Sequence, residues 1–104
     1  MSQVKSVLVI GGGLIGTSIA LDLVATGREV YIRDIDAKAG EVAVTRSGAK
    51  LHNGEQVELV IVATPPSFVA SVIRDVVSEF PTAVVTDVAS VKGAIASALT
   101  DLTQ

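Results

Sequence analysis

Cysteine is absent from the 104 residues. That excludes a disulfide framework, a thiolate metal site and cysteine catalysis. Aromatic side chains are nearly absent too, with only Tyr31, Phe68 and Phe80 present. The core must therefore be built from Val, Ile, Leu and Ala, which suits a parallel sheet covered by helices on both faces. Positive charge is sparse and scattered: Lys and Arg total 8 against 11 Asp and Glu, for a net charge of −3. Phosphate backbones need clustered Lys and Arg, so nucleic acid is not an expected partner. No stretch is long and apolar enough to span a bilayer, so no membrane partner is expected either. The apolar run of MSQVKSVLVIGGG is too short for a signal peptide and is broken by glycines. These features are compatible with a cytoplasmic location, and the mean hydropathy of +0.59 is attributed to buried strands.

A chain of this length is one domain at most, with a modest core. Residues 4–10 form a continuous apolar run that reads as a buried strand. Residues 14–26 carry Ile15, Ile19 and Leu23 at helical spacing, and Gly27 ends them as a cap. Residues 29–34 (EVYIRD) read as a second strand. Asp36 is a suitable N-cap for a helix over 37–47, which Gly48 stops. Residues 49–51 suggest a short edge strand, and 52–57 a polar loop containing His52, read as a surface residue. ELVIVA at 58–63 is another buried strand, ended by Pro65 and Pro66. A helix is expected over 67–79, with Val69, Val72, Ile73 and Val76 on one face. A last buried strand is expected at 83–88, and a last helix at 91–102. Strands alternating with helices predict an α/β fold with a parallel sheet. No repeat, linker or low-complexity tract interrupts it.

The segment VLVIGGGLIGTSIA places Gly11-x-Gly13-x-x-Gly16 directly between a strand and a helix. In such a loop the first glycine permits the tight turn, the second lets the backbone approach a pyrophosphate, and the third allows helix and strand to pack closely. Leu14 and Ile15 begin the helix, whose N-terminal N–H groups and positive dipole end face the phosphates. Asp34 ends the second strand, 18 positions past Gly16, where a carboxylate accepts hydrogen bonds from the adenosine ribose of NAD. Three glycines alone are compatible with a plain strand–helix turn, but the complete βαβ setting makes the dinucleotide reading the stronger one. The fold class that follows is a Rossmann-type doubly wound parallel sheet in three layers, α/β/α, with an incomplete second half.

NAD is favoured as cofactor because Asp34 repels a 2′-phosphate. NADP stays open because Arg33 is adjacent and an arginine there can accommodate that phosphate. The competing reading of Arg33 is a solvated charge at the strand edge, and Asp36 reads better as a helix cap than as a second ribose ligand. Thr64 and Pro65 follow the strand expected beside the first, at the carboxyl edge where ligands sit in such sheets. They read equally well as cofactor-lining residues or as a strand stop and helix start.

VVTDVASVKGAI, residues 84–95, turns from strand to helix at the next position along that edge. Taken together in order and spacing, GGGLIGTSIALDL, VYIRDID, VIVATPP and TDVASVKGAI resemble the N-terminal NAD-binding domain of prephenate dehydrogenase, a group that includes arogenate and cyclohexadienyl dehydrogenases. The resemblance covers nearly the whole chain and implies residues 1–104 as an NAD(P)-binding Rossmann domain. One departure is Ala89, where the family usually has glycine. The resemblance implies hydride transfer from the ring hydroxyl carbon of prephenate or arogenate to NAD(P), with loss of CO2 and aromatisation, in tyrosine biosynthesis. It places Ser90 beside the reacting hydroxyl. Ser90 also stands where a helix N-cap belongs, and the two roles are compatible. Lys92 is a candidate for attracting the anionic substrate, or a solvated first-turn side chain. Asp87 is expected to hold the turn by local hydrogen bonds.

The family's general base is a histidine in an H-P-x-x-G motif following D-V-x-S-V-K. No such motif occurs here, and His52, the single histidine, precedes the region. The expectation is a truncated enzyme that folds, binds NAD weakly and does not turn over prephenate alone. Its carboxylate-binding arginines and helical, homodimer-forming domain would lie downstream. Two other readings stand beside this one: a different dehydrogenase of the 6-phosphogluconate/β-hydroxyacid group, which typically lacks D-V-x-S-V-K, and a stand-alone NAD-binding module without chemistry.

Overall fold

The computed structural model describes residues 4–88. Ser90, Lys92 and the helix expected over 91–102 lie outside them. In chain order the elements are β1 (Ser6–Ile10), α1 (Leu14–Ala25), β2 (Glu29–Arg33), α2 (Ala37–Ser47), β3 (Lys50–Leu51), β4 (Leu59–Val62), α3 (Pro66–Glu79) and β5 (Val84–Asp87). Among the described residues the five strands make one sheet in the order β3-β2-β1-β4-β5. Every neighbouring pair is parallel. This is the doubly wound order, with one complete half (β1, β2, β3) and the start of a second (β4, β5).

Strand alternation sorts the core into two layers. Val7 and Val9 of β1, Val30 and Ile32 of β2, and Leu59 and Ile61 of β4 face Ile19, Ala20 and Leu23 of α1 and Ala43 of α2. Leu8, Ile10, Tyr31 and Val60 point the other way, toward Val76 of α3, Phe80 and Val57. The central strands are therefore buried on both faces, which is why their sequences read as unbroken apolar runs. Each such side chain contributes about 1.5–3 kcal/mol relative to exposure.

Local chemistry fixes the helix ends. The Asp36 carboxylate accepts from the Lys38 and Ala39 N–H groups at 3.0 and 3.3 Å, capping α2. Gly48 ends α2 with φ +82°, a left-handed conformation that favours glycine. Pro66 opens α3, where its missing N–H costs no hydrogen bond.

Two expectations need correction. The strand at 83–88 was expected to be buried, but among the described residues β5 has one neighbour and lies at the sheet edge, with Val84 65% exposed and the rest half-buried. His52 was expected at the surface, yet its side chain is only 2% exposed. The segment after β3 must cross to the start of β4, and it does so against the α3-side layer. Val57 is buried in that layer, and the His52 ring packs edge-on against Tyr31 and Phe80 at centroid distances of 6.0 and 5.7 Å.

Candidate functional site

The glycine loop lies at the carboxyl ends of β1, β2 and β4. Its course is set by backbone bonds from the Gly11 N–H to the Arg33 carbonyl (2.8 Å) and from the Ala63 N–H to the Ile10 carbonyl (2.8 Å). Gly11 has φ +113°, and a Cβ there would lie 2.7 Å from the Ala63 carbonyl oxygen. At Gly16 a Cβ would fall 1.9 Å from the Gly11 carbonyl oxygen, so α1 packs against the loop only with glycine at that position. These two glycines are demanded by the protein itself.

Gly13 differs. A Cβ added there would meet no protein atom within 4 Å. Its φ of −75° suits any residue. Neither packing nor backbone conformation requires glycine here, and the open space lies directly before α1. That helix begins without a side-chain cap and without an acidic residue in its first turn. Its first N–H groups and its positive dipole end therefore remain available to an anion. The arrangement fits a pyrophosphate drawn close to the backbone at Gly13.

Asp34 closes one side of this space. Its Oδ2 accepts from the Gly12 N–H at 2.5 Å and its Oδ1 from the Asp36 N–H at 2.7 Å. The carboxylate is thus fixed against the loop by two backbone donors, with acceptor capacity left for ribose hydroxyls. On the other side Ala63 and Thr64 abut Gly11. Thr64 Oγ1 is buried and has no hydrogen-bond partner. A buried hydroxyl without a partner is costly in a finished structure, so Thr64 Oγ1 is free to bond a ligand atom at this edge. Leu14 and Ile15 are exposed at the start of α1. Pro65 is exposed as the N-cap residue of α3.

The structure thus brings Gly11, Gly13, Gly16, Leu14, Ile15, Asp34, Thr64 and Pro65 to one edge. Arg33 goes elsewhere. Alternation turns it to the α3 side with Tyr31, and its guanidinium donates to Glu79 at 2.8 and 2.6 Å. It also donates to His52 Nδ1 at 3.0 Å and lies 5.6 Å from the centre of the Phe80 ring. Because arginine only donates, His52 Nδ1 is an acceptor, and Nε2 donates to the Glu55 carbonyl at 2.9 Å. The paired charges hold the Glu79 carboxyl below, and the Arg33 guanidinium above, their ordinary values, chiefly through their mutual hydrogen bonds. Arg33 is therefore a tied charge rather than a freely solvated one.

Sequence reasoning passed over Ile35. It follows Asp34 and is fully exposed, an apolar side chain directly after that carboxylate in the chain. The signal was available: an isoleucine in the polar turn between β2 and α2 has no core to enter. A separate groove of about 450 Å³ lies at the opposite edge of the sheet, lined by Val4, Lys5, Thr26, Gly27, Arg28 and Glu29. It contains none of the residues of the glycine-loop edge. Among the described residues no cluster of His, Asp or Glu is arranged to hold a metal, and no helix is long and apolar enough to cross a membrane.

The sheet order and glycine loop define a nucleotide-binding domain of the Rossmann class. Residues 19–104 match the family described as "Prephenate dehydrogenase, nucleotide-binding domain", and the chain belongs to that oxidoreductase family. The probable prephenate dehydrogenase NovF of Streptomyces niveus is 37% identical over 89 residues, covering 85% of this chain and 25% of that protein. The crystal structure of Synechocystis arogenate dehydrogenase superposes with a TM-score of 0.71 at 26% identity, covering 80% of this chain and 32% of that one. An imine reductase of Streptomyces aurantiacus superposes with a TM-score of 0.62 at 29% identity, covering 80% of this chain and 31% of its own. The chain thus corresponds to between a quarter and a third of the length of these relatives. Family membership supports a nicotinamide dinucleotide as the cofactor class.

Proposed function

We propose that residues 1–104 are the NAD-binding domain of an enzyme that oxidatively decarboxylates prephenate or arogenate. The observation that carries the nucleotide reading is Gly13, a glycine whose smallness serves no protein atom and opens space before an uncapped helix. Asp34 is the ribose ligand, and its negative charge together with the engagement of Arg33 favours NAD over NADP. Thr64 and Pro65 line the dinucleotide on the β4 side, and Ile35 offers the adenine an apolar surface. Bound at this edge, the nicotinamide ring supplies the hydride acceptor.

Ser90 follows β5 in the sequence and orients the substrate hydroxyl in this reading, with Lys92 attracting its carboxylates. Both roles rest on the family resemblance of the D-V-x-S-V-K run. His52 is engaged by Arg33 and Glu55, so it does not serve as the general base. The 104 residues alone therefore bind nucleotide without turning over prephenate. In this reading a helical domain beyond these residues completes the substrate site and forms a homodimer, and the working compartment is the cytoplasm.

Calorimetric titration with NAD+, on the wild type and on Asp34→Ala, tests the assignment. Binding by the wild type that weakens about tenfold or more in the variant is expected, the size of losing hydrogen bonds to a charged acceptor. Equal binding by both would remove Asp34 from the site. Prephenate-dependent NADH formation by the 104 residues would show that the chain carries a base this reading does not identify.

A further inference from the structure

We propose that Glu79 sets the nucleotide preference of the domain by holding Arg33 away from the ribose edge. The inference rests on the nucleotide site proposed above. It concerns a residue 45 positions from Asp34 in the chain, on the last turn of a helix across the sheet.

The sign of the charge at the ribose edge depends on where Arg33 points. The turn from Asp34 to Lys38 carries two carboxylates, Asp34 and Asp36, against one ammonium, Lys38. With Arg33 elsewhere, the turn is net negative and suits two ribose hydroxyls. With the Arg33 guanidinium swung over the strand end, the balance is neutralised and a bidentate donor stands beside the 2′ position. A guanidinium is the group that recognises a ribose phosphate. Arg33 directly precedes Asp34, and its long flexible stem makes either placement accessible.

The structure shows why it does not take the second placement. Both Glu79 oxygens accept from Arg33, at 2.8 and 2.6 Å, and the same guanidinium donates to His52 Nδ1. The Phe80 ring beneath it adds a cation–π contact. A 2′-phosphate must compete with a carboxylate already in fork-to-fork geometry. Glu79 thus neutralises the one guanidinium adjacent to Asp34 in sequence and fixes it on the α3 side. His52 reinforces this because its Nδ1 accepts from the same nitrogen that bonds Glu79 Oε2.

The test measures NAD+ and NADP+ dissociation constants for the wild type, Glu79→Gln, Glu79→Asp and the double variant Glu79→Gln/Arg33→Met. Far-UV circular dichroism checks that each is folded. The ratio of NADP+ to NAD+ affinity should rise about tenfold in Glu79→Gln, the scale of a hydrogen bond to a charged group. It should stay near wild type in Glu79→Asp, which keeps the carboxylate, and the gain should vanish in the double variant. A merely structural role would weaken both nucleotides together and leave the ratio fixed. An unmoved ratio with NAD+ still bound overturns the role of Glu79 and leaves the nucleotide site standing. A gain that survives Arg33→Met overturns it as well. Failure of every protein, wild type included, to bind either nucleotide overturns both the site and the inference.

Discussion

Gly13 and Gly16 share one loop and are small for different reasons. A methyl group at Gly16 collides with the Gly11 carbonyl oxygen at 1.9 Å, so Gly16→Ala forces backbone movement and should cost about 1–3 kcal/mol. A methyl group at Gly13 touches no protein atom. Gly13→Ala should change stability by no more than about 1 kcal/mol, the scale of an N-cap substitution, while weakening NAD+ binding. Urea unfolding and nucleotide titration of the two variants separate these effects. Equal loss of stability in both would mean that Gly13 is structural after all. At this scale Gly11 and Gly16 were legible in the sequence, because each answers a local geometric demand of the strand–helix turn. The direction of the Arg33 side chain was not, because its partner lies on a distant helix.

The elements formed where local signals agreed. Asp36, Gly48 and Pro66 each act on backbone groups a few residues away, and the ends of α2 and α3 lie where those residues place them. Asp36→Ala should destabilise the domain by about 1 kcal/mol, since it strips the acceptor from two first-turn N–H groups. No change in the unfolding midpoint would mean that water replaces the cap without cost. The apolar runs of β1 and β4 likewise announced central strands. The run ending in VVTD was just as apolar, yet β5 lies at the sheet edge. An apolar run records the preference of a strand, whereas its burial depends on how many neighbours the sheet order gives it. The polar stretch beginning at His52 misled in the opposite sense. Its composition suggests solvent, but the path from β3 to β4 carries His52 and Val57 across the layer beneath α3.

For the whole molecule, Arg33 and Glu79 join the carboxyl end of β2 to the last turn of α3. The Arg33 hydrogen bonds hold the Glu79 carboxyl below its ordinary value of 4.5, so the contribution of the pair to stability is present above that value and is lost as pH falls through the lower folded-state value. Both side chains are a third or more exposed, so solvent screening limits the contribution to about 0.5–1 kcal/mol. Glu79→Gln should lack this portion of the acid sensitivity. Wild-type and variant stabilities should therefore converge as pH falls through the lowered folded-state value, and a constant difference across that range would show that the pair is not coupled to pH. The doubly wound topology was legible from the order of strands and helices alone. The pairing of Arg33 with Glu79 on the α3 side belongs to tertiary packing, and the proposed preference for NAD rests on it.

Binding of a dinucleotide at the glycine-loop edge is tested by a nitrogen-15 NMR titration of the chain with NAD+. Shifts are expected at the amides of Gly12, Gly13, Leu14, Ile15, Asp36 and Thr64. Shifts confined to Val4, Lys5 and Thr26–Glu29 would place the ligand in the groove at the opposite edge of the sheet and contradict it.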